Sequence, residues 1–419
     1  MKLFQQMLVA GASLSLVTPV VAQASDVNLE EMNSYSRSTK SSKKRIDSKT
    51  FSNKIVKVNE RVDNIESKLN EFEAGGFSDT TVLDGKAIFD LGGVDTNDSV
   101  HVGDGGYGGE AEFMYTYTLN LNTSFTGDDN LYTRIKTGNH TSWSKTKSAY
   151  NTYLSSGNGN GDTLKVDKLW YSFKIGDNQT VTVGPKIENY YMHATTPSIY
   201  EPVLKAFTLG GNAAAYGAST SPGAGWAYNA DNGFAISSNV TSKNPVLSNE
   251  AKSSWATQIG YTQPNYSVSA LVNIKANGWT DSYFMTVDGK ARPGDGNSTN
   301  VGLRGWWRPT DSSAAIPSIS VGYDTSETDA SSNDGTSAYF VGLNWVDIWN
   351  ADDKIGVAFG QPQKVEGDSV DPFLYEVYYK YKVNDSVTVT PTIFGGTSKN
   401  TANQESNMSG YLVQTTFKF

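Results

Sequence analysis

The chain closes on Gly410-Tyr411-Leu412-Val413-Gln414-Thr415-Thr416-Phe417-Lys418-Phe419. Successive side chains of an extended backbone point to opposite faces, so Tyr411, Val413, Thr415, Phe417 and Phe419 share one face, with Gln414, Thr416 and Lys418 on the other. One stretch of this kind fits an edge strand of a soluble sandwich as well as a strand of a membrane barrel. Barrel strands run to about ten residues and alternate lipid-facing apolar with lumen-facing polar side chains. The decision rests on how often the pattern recurs upstream.

It recurs from Thr80 onward. Sixteen extended segments are expected, at 80–90, 110–122, 130–138, 164–175, 179–186, 224–230, 233–241, 253–262, 265–276, 300–309, 317–326, 337–349, 353–360, 372–383, 386–395 and 409–419. Short connections centre on Gly127-Asp128-Asp129, Gly176-Asp177-Asn178, Ala230-Asp231-Asn232, Gln263-Pro264-Asn265, Pro309-Thr310-Asp311, Asn350-Ala351-Asp352 and Asn384-Asp385, all with turn-forming chemistry. Longer Gly/Asn/Ser/Asp-rich connections fall between them. Alternating short and long connections with an even strand number predict an all-β, up-and-down antiparallel transmembrane barrel over 77–419, both ends on the short-turn side.

Parity within the segments agrees. Phe113, Tyr115, Tyr117, Leu119 and Leu121 oppose Glu112, Met114, Thr116, Thr118 and Asn120, and Phe373, Tyr375, Val377, Tyr379, Tyr381 and Val383 oppose Glu376, Tyr378, Lys380 and Lys382. Neutral and aromatic faces are therefore expected toward lipid and charged faces toward the bore. Trp306-Trp307, Trp345 with Trp349, and Tyr378-Tyr379 are candidates for interfacial girdles.

Composition fits this reading. Hydrophobic residues make up 37% and charged residues 18%, while Gly (40), Tyr (23) and Trp (9) are abundant, so the chain lacks the aliphatic and charged content of a soluble protein of this size. A mean hydropathy of −0.43 does not oppose it, because a barrel hides its apolar residues in alternate positions. Cysteine is absent, which excludes disulfides and thiolate chemistry, and His101, His140 and His193 are too scattered for a histidine metal site or a Ser-His-Asp triad. No cofactor and no enzymatic nucleophile-base pair is expected. A charge of −9 argues against a nucleic-acid partner.

Residues 1–24 read as a secretory signal, with Lys2, an apolar run from Met7 to Val21 and small residues at Ala22-Gln23-Ala24. Residues 25–50 form a Ser/Thr/Lys-rich basic linker with Arg37, Lys40, Lys43, Lys44, Arg45 and Lys49. It is either a solvated spacer or an electrostatic contact to the cell wall. In 51–76, Phe51, Ile55, Val58, Val62, Ile65, Leu69 and Phe72 repeat every 3.5 residues before Gly75-Gly76. That is a coiled-coil seam or a single amphipathic helix against a barrel. Its mixed β-branched core leans toward three strands.

Strand parity sends Arg134, Lys136, Lys168, Lys174, Lys275, Arg304, Arg308, Lys380, Lys382 and Lys418 inward, against the acids Glu110, Glu112 and Glu376. A basic bore would concentrate small anions or offer donors to sugar hydroxyls. The longest connection, 187–223, carries Glu188, Tyr190, Tyr191, His193, Tyr200, Glu201 and Lys205 and the run Gly210-Gly211-Asn212-Ala213-Ala214-Ala215. A connection of that length is expected to be functional, folded into the barrel with Glu188, Glu201 and Lys205 facing Arg134, Lys168 or Arg304. The stretches Gly103–Gly109 and Asp295-Gly296-Asn297 lack the remaining residues of a phosphate loop or an EF-hand and are read as surface loops.

Together the signal, the heptad segment, the entry Gly76-Phe77-Ser78-Asp79-Thr80-Thr81 and the terminal Phe419 resemble the cyanobacterial outer-membrane porins. Those porins are related to the carbohydrate-selective OprB-type porins and are also called iron-uptake porins. The resemblance implies an outer-membrane homotrimer in contact with lipid and passive diffusion of ions and small solutes. It also implies a C-terminal signal, here Tyr411, Val413, Phe417 and Phe419, read by the barrel-assembly machinery. Family members commonly carry a surface-layer-homology domain before the coiled coil; here the linker 25–50 stands in that place. A structural anchor linking membrane and cell wall is the alternative role.

Overall fold

The computed structural model describes residues 80–96, 107–140, 142–144, 152–211, 213–216, 220–243, 245–246, 248–279, 296–310, 316–329, 335–399 and 404–419. The chain divides into 1–79 and 80–419. The expected signal, linker and heptad segment belong to the first unit and lie outside the described residues.

Each alternating segment of the second unit is a strand: β1 (Thr81–Thr96), β2 (Glu112–Thr123), β3 (Asp129–Gly138), β4 (Lys165–Ile175), β5 (Gln179–Ile187), β6 (Ser221–Asn229), β7 (Phe234–Ser242), β8 (Ser253–Gln263), β9 (Tyr266–Ala276), β10 (Ser298–Trp307), β11 (Ser318–Thr328), β12 (Gly335–Val346), β13 (Lys354–Val365), β14 (Phe373–Lys382), β15 (Val387–Lys399) and β16 (Glu405–Lys418). Every strand pairs antiparallel with its sequence neighbours, and β1 pairs with β16 to close the ring. Closure leaves no unpaired edge, the condition for a sheet to survive in hydrocarbon. The seam ends on Phe419, whose carbonyl accepts the Gly85 N–H at 2.8 Å.

The outer face is apolar and open. Phe113 is 68% exposed and Trp255 55%, and Ile259, Val268, Val272, Ile274, Leu303 and Val321 continue the band around the wall. An exposed apolar surface of that extent has no place in water; it is the surface that acyl chains cover. Phe89 packs edge-on between Phe113 and Phe417, with centroids 6.0 and 5.2 Å away, and Tyr117 stacks on Phe419 at 5.8 Å, so the C-terminal aromatics stand on the outside.

Two of the expected aromatic pairs divide between the faces. Trp307 is exposed, whereas Trp306 is buried inside and donates from Nε1 to the Thr196 carbonyl at 3.1 Å. Tyr378 is buried inside; Tyr379 faces out and packs against Trp349 at 4.9 Å. Neighbouring residues on a strand point oppositely, so a doublet can supply only one girdle side chain.

The short turns are held by carboxylates. Asp353 accepts the N–H groups of Ile348, Trp349 and Asn350 at 2.7, 3.1 and 3.0 Å and the Tyr379 hydroxyl at 2.8 Å. Burial pushes its carboxyl up, but these donors bring it below the ordinary value. The strict length alternation expected from the sequence holds only for the first ten strands. Beyond β10 the nominally short connection 308–317 exceeds the nominally long ones at 329–334, 366–372 and 400–404. Turn length is thus not fixed by which rim a connection occupies.

The inner face also departs from a purely polar one. Phe340, Leu374, Tyr378, Phe394, Met408 and Leu412 point inward and form one buried cluster with Trp143, Leu154, Tyr200, Val203, Leu204 and Phe207 from two connections. A bore that receives folded-in loops needs apolar wall beneath them.

Candidate functional site: the bore and its internal loops

The connection between β5 and β6 runs through the barrel rather than outside it. It begins at a β-bulge where Leu169 faces Lys186 and Tyr171 faces Val183, leaving Gly184 and Pro185 opposite Trp170. Pro185 lacks a ladder donor, and the bulge bends β5 at its end. Glu188 then meets Lys168 of β4 in an ion pair. A 3₁₀ turn follows at Asn189–Met192.

From there the backbone is tied strand by strand to the inner wall. Ala194 N–H donates to Ser237 Oγ of β7 at 3.1 Å, Thr195 N–H to Gln258 Oε1 of β8 at 2.9 Å, and Ile199 N–H to Ser320 Oγ of β11 at 3.1 Å. The path ends on Glu376 of β14, a fully buried carboxylate that accepts the Tyr200 hydroxyl at 2.9 Å and the N–H groups of Val203 and Leu204 at 3.1 and 2.6 Å. The loop therefore crosses the lumen from β4 to β14. Glu376, expected as a pore-lining charge, is instead an anchor for the loop backbone.

Inward glycines make room for the crossing. Met192 lies against Gly225, Thr195 against Gly260, Ala215 and Tyr216 against Gly302, the Gly210 carbonyl against Gly322 and the Tyr200 ring against Gly342. Any side chain at Gly322 would overlap the Gly210 carbonyl. Arg304 completes the fastening. It donates from Nε to the Leu209 carbonyl at 2.7 Å, pairs with Asp324 at 2.9 Å and lies 4.6 Å from the Tyr216 ring centroid. It thus holds the loop rather than facing Glu188 or Glu201 across open space.

A second connection, between β3 and β4, folds in as well, which the sequence did not predict. Ser155 N–H donates to the Val203 carbonyl at 2.7 Å, and Lys205 N–H to the Tyr153 carbonyl at 2.7 Å, so the two loops brace each other. Asp90 on β1 pins this second loop to the wall through His140 and through Ser156 Oγ, 2.7 Å away.

Between the loops and the β1–β4 wall lies a cavity of about 400 Å³. Lys86, Arg134, Lys136 and Lys205 bring four cations to it, Asp167 and Glu188 two carboxylates, and Tyr132, Tyr190 and Tyr191 their rings. Asp167 reaches it through another bulge: Arg134 faces Lys168 and the next pair is Ile135 with Val166, so Asp167 is an extra residue turned inward beside Lys168. Arg134 Nε donates to Asp167 at 2.6 Å. Trp170 continues the rings, 4.4 Å from Tyr132 and 4.9 Å from Tyr191, and Tyr191 stacks on Tyr190 at 4.7 Å.

The remaining predicted residues separate into bore and rim. Glu201 sits between Lys354 and Lys380, the latter at 2.6 Å; burial raises its carboxyl, but the two lysines outweigh it and hold it at about 2. Lys275 is buried on the inner face of β9. His193 stands with Nδ1 3.3 Å from Asn239 Nδ2, and burial lowers its imidazole to about 3. Lys174 and Lys382 meet turn carboxylates instead of the bore, Lys174 with Asp128 at 3.9 Å and Lys382 with Asp352 and Asp385 at 2.7 and 2.8 Å. Arg308 donates to the Pro264 carbonyl at 2.6 Å just beyond β10, and Lys418 is exposed at the end of β16. Strand parity gives a direction and says nothing of depth, so these four lie at or beyond the strand ends rather than along the bore. Glu110 precedes β2 and is exposed, whereas Glu112 opens the strand. Lys86, Asp90, Asp167, Ser156 and Lys354 were missed. Lys86, Asp90 and Lys354 carried a signal, the inward parity of a charged strand residue.

A closed barrel, oily outside, with a loop threaded through its bore, is the architecture of an outer-membrane porin, a channel for solutes. The chain belongs to the carbohydrate-selective porin, OprB family, whose model matches residues 49–419. It is 26% identical to an uncharacterized protein of Nostoc sp. over 88% of this chain and 70% of that one. It is 24% identical to an uncharacterized protein of Synechocystis sp. over 81% and 69%. Its fold matches the high-pH structure of Pseudomonas putida OprB with a TM-score of 0.58 at 12% identity, covering 83% of this chain and 97% of that one. It also matches a loop L8 deletion mutant of Vibrio cholerae OmpT with a TM-score of 0.51 at 14% identity, covering 81% and 99%.

Proposed function

We propose that the barrel passes small hydrophilic solutes and inorganic ions by passive diffusion past a constriction formed by the described residues of the β5–β6 connection, 188–211, together with those of the β3–β4 connection, 152–164. The observation that carries this is the crossing of the lumen from Lys168 to Glu376 beside a charged cavity of about 400 Å³. Carbohydrates are among the solutes: the run Tyr132, Trp170, Tyr191 and Tyr190 offers ring faces to a sugar, with donors from Arg134 and the lysines alongside. The family's description as carbohydrate-selective supports the same reading. Pore-lining roles go to Arg134, Lys136, Lys168, Lys275 and Lys380.

The finer organisation is part of the proposal. The mixed β-branched seam Phe51 to Phe72 supports a homotrimer with a coiled coil in the periplasm, and the basic linker a cell-wall contact. The outward Phe417 and Phe419 at the seam support recognition by the assembly machinery. Deleting Tyr190 to Ala215 and recording single channels in planar bilayers tests the constriction: conductance rises, and an unchanged conductance refutes it. Wild-type steps in multiples of three support the trimer, while a silent membrane favours the structural anchor.

A further inference from the structure

The cavity carries more positive charge than a neutral solute requires. Arg134 is compensated by Asp167, and Glu188 is engaged by Lys168. That accounts for both carboxylates in the lining and leaves Lys86 and Lys136 without a carboxylate partner among the described residues. The sheet register sets these two on either side of one residue: Thr118 of β2 faces Lys86 of β1 and Lys136 of β3. Strands lie about 4.8 Å apart, so the two lysine backbones stand about 10 Å from each other, and the long side chains can close on one small group above Thr118.

From the opposite side the β3–β4 loop brings Asn158, which lines the same cavity and whose Nδ2 is buried without a hydrogen-bond partner. Lys205 reaches in from the β5–β6 loop. Two ammonium groups outside any ion pair among the described residues, an orphaned amide donor and a hydroxyl line one cavity from four elements, β1, β2, β3 and the β3–β4 loop, and what is missing from the set is a multiply charged acceptor. A buried donor without a partner is costly, and a partly desolvated ammonium gains most from an anion that accepts several hydrogen bonds at once.

We propose that Lys86, Thr118, Lys136 and Asn158 form a subsite for a tetrahedral oxyanion of the phosphate or sulfate class, with Lys205 adding charge from the loop. The subsite rests on the porin reading and narrows it: anions of this class dwell at the constriction while monovalent ions and neutral solutes pass. Because neither Lys86 nor Lys136 forms an ion pair among the described residues, neutral substitution at either leaves the described ion pairs of Arg134 with Asp167 and Lys168 with Glu188 in place.

The test is planar-bilayer recording of the full chain in potassium chloride with inorganic phosphate titrated into one compartment. Wild type is expected to show millimolar block of the chloride current. Lys86→Gln and Lys136→Gln each raise the half-blocking concentration about tenfold, the loss expected for one charge-assisted hydrogen bond. Asn158→Ala raises it less. A channel that conducts but is blocked equally in wild type and in the Lys86→Gln/Lys136→Gln double variant overturns the subsite and leaves the channel reading standing. So does a double variant whose reversal potential shifts toward cation preference while phosphate blocks neither protein, since the lysines then act only as a diffuse field. A bilayer that stays silent with every protein overturns both readings.

Discussion

His140 Nε2 lies 2.9 Å from Asp90 Oδ2 inside the barrel, with both side chains at zero solvent exposure. The other ring nitrogen faces the Tyr115 carbonyl at 3.0 Å, while Gln414 Nε2 donates to the second Asp90 oxygen at 2.9 Å. One carboxylate thus joins the first strand, the last strand and the loop between β3 and β4.

Removing the imidazole leaves Asp90 with the Ser156 hydroxyl and the Gln414 amide as donors. His140→Ala is expected to lower barrel stability by about 1–3 kcal/mol, less than for an isolated buried pair because Ser156 and Gln414 remain. Trp143 sits in the same loop, so tryptophan emission during urea unfolding in lipid vesicles reports the change. A midpoint equal to wild type would show that Asp90 does not hold the loop.

Glu376 gives the second prediction. Glu376→Ala strips the acceptor from the Tyr200 hydroxyl and from two loop N–H groups, a cost of about 1–3 kcal/mol for each donor that finds no other partner. The β5–β6 loop should then leave the β14 wall, and single-channel conductance should rise and become noisier. Conductance identical to wild type would mean that Arg304 and the serine contacts suffice without Glu376.

Gly322 separates packing from hydrogen bonding. Gly322→Ala changes no polar group, yet the new methyl overlaps the Gly210 carbonyl. Overpacking of this kind costs about 1–3 kcal/mol. Protease cleavage within 205–216 should accelerate in the alanine variant, and equal cleavage rates would place the loop farther from β11.

Acid acts through His193. Burial holds its folded value near 3, below the ordinary 6.5, so the neutral ring favours the folded loop. Its contribution is complete above pH 6.5 and is lost as pH falls from there toward 3, at about 1.4 kcal/mol per unit of pH. Conductance noise in wild type should grow across that window and should do so less in His193→Gln. Glu201, held near 2 against an ordinary 4.5, begins to lose its own contribution only below pH 4.5, so the upper part of the window, from 6.5 to 4.5, reports His193 alone of the two.

The wall was legible in the sequence because period-two alternation and Asp/Asn/Gly turns are local signals, and all sixteen strands fall where the alternation puts them. Parity also read the direction of Arg134, Lys168 and Glu376. It could not read Asp167, since one inserted residue at a bulge reverses the rule locally. The interior was largely opaque. Phe340, Leu374 and Phe394 occupy inward positions that a water-filled bore would give to polar residues, and only the loops above them explain the choice. Asp90 and His140 meet through two strands and a loop, a pairing that no spacing encodes.

The seam between β1 and β16 fixes when this molecule can exist at all. A nascent chain short of its last strand would present two raw rows of peptide donors and acceptors, which hydrocarbon does not tolerate. The wall can therefore be sealed in the membrane only after β16 has been made and has met β1.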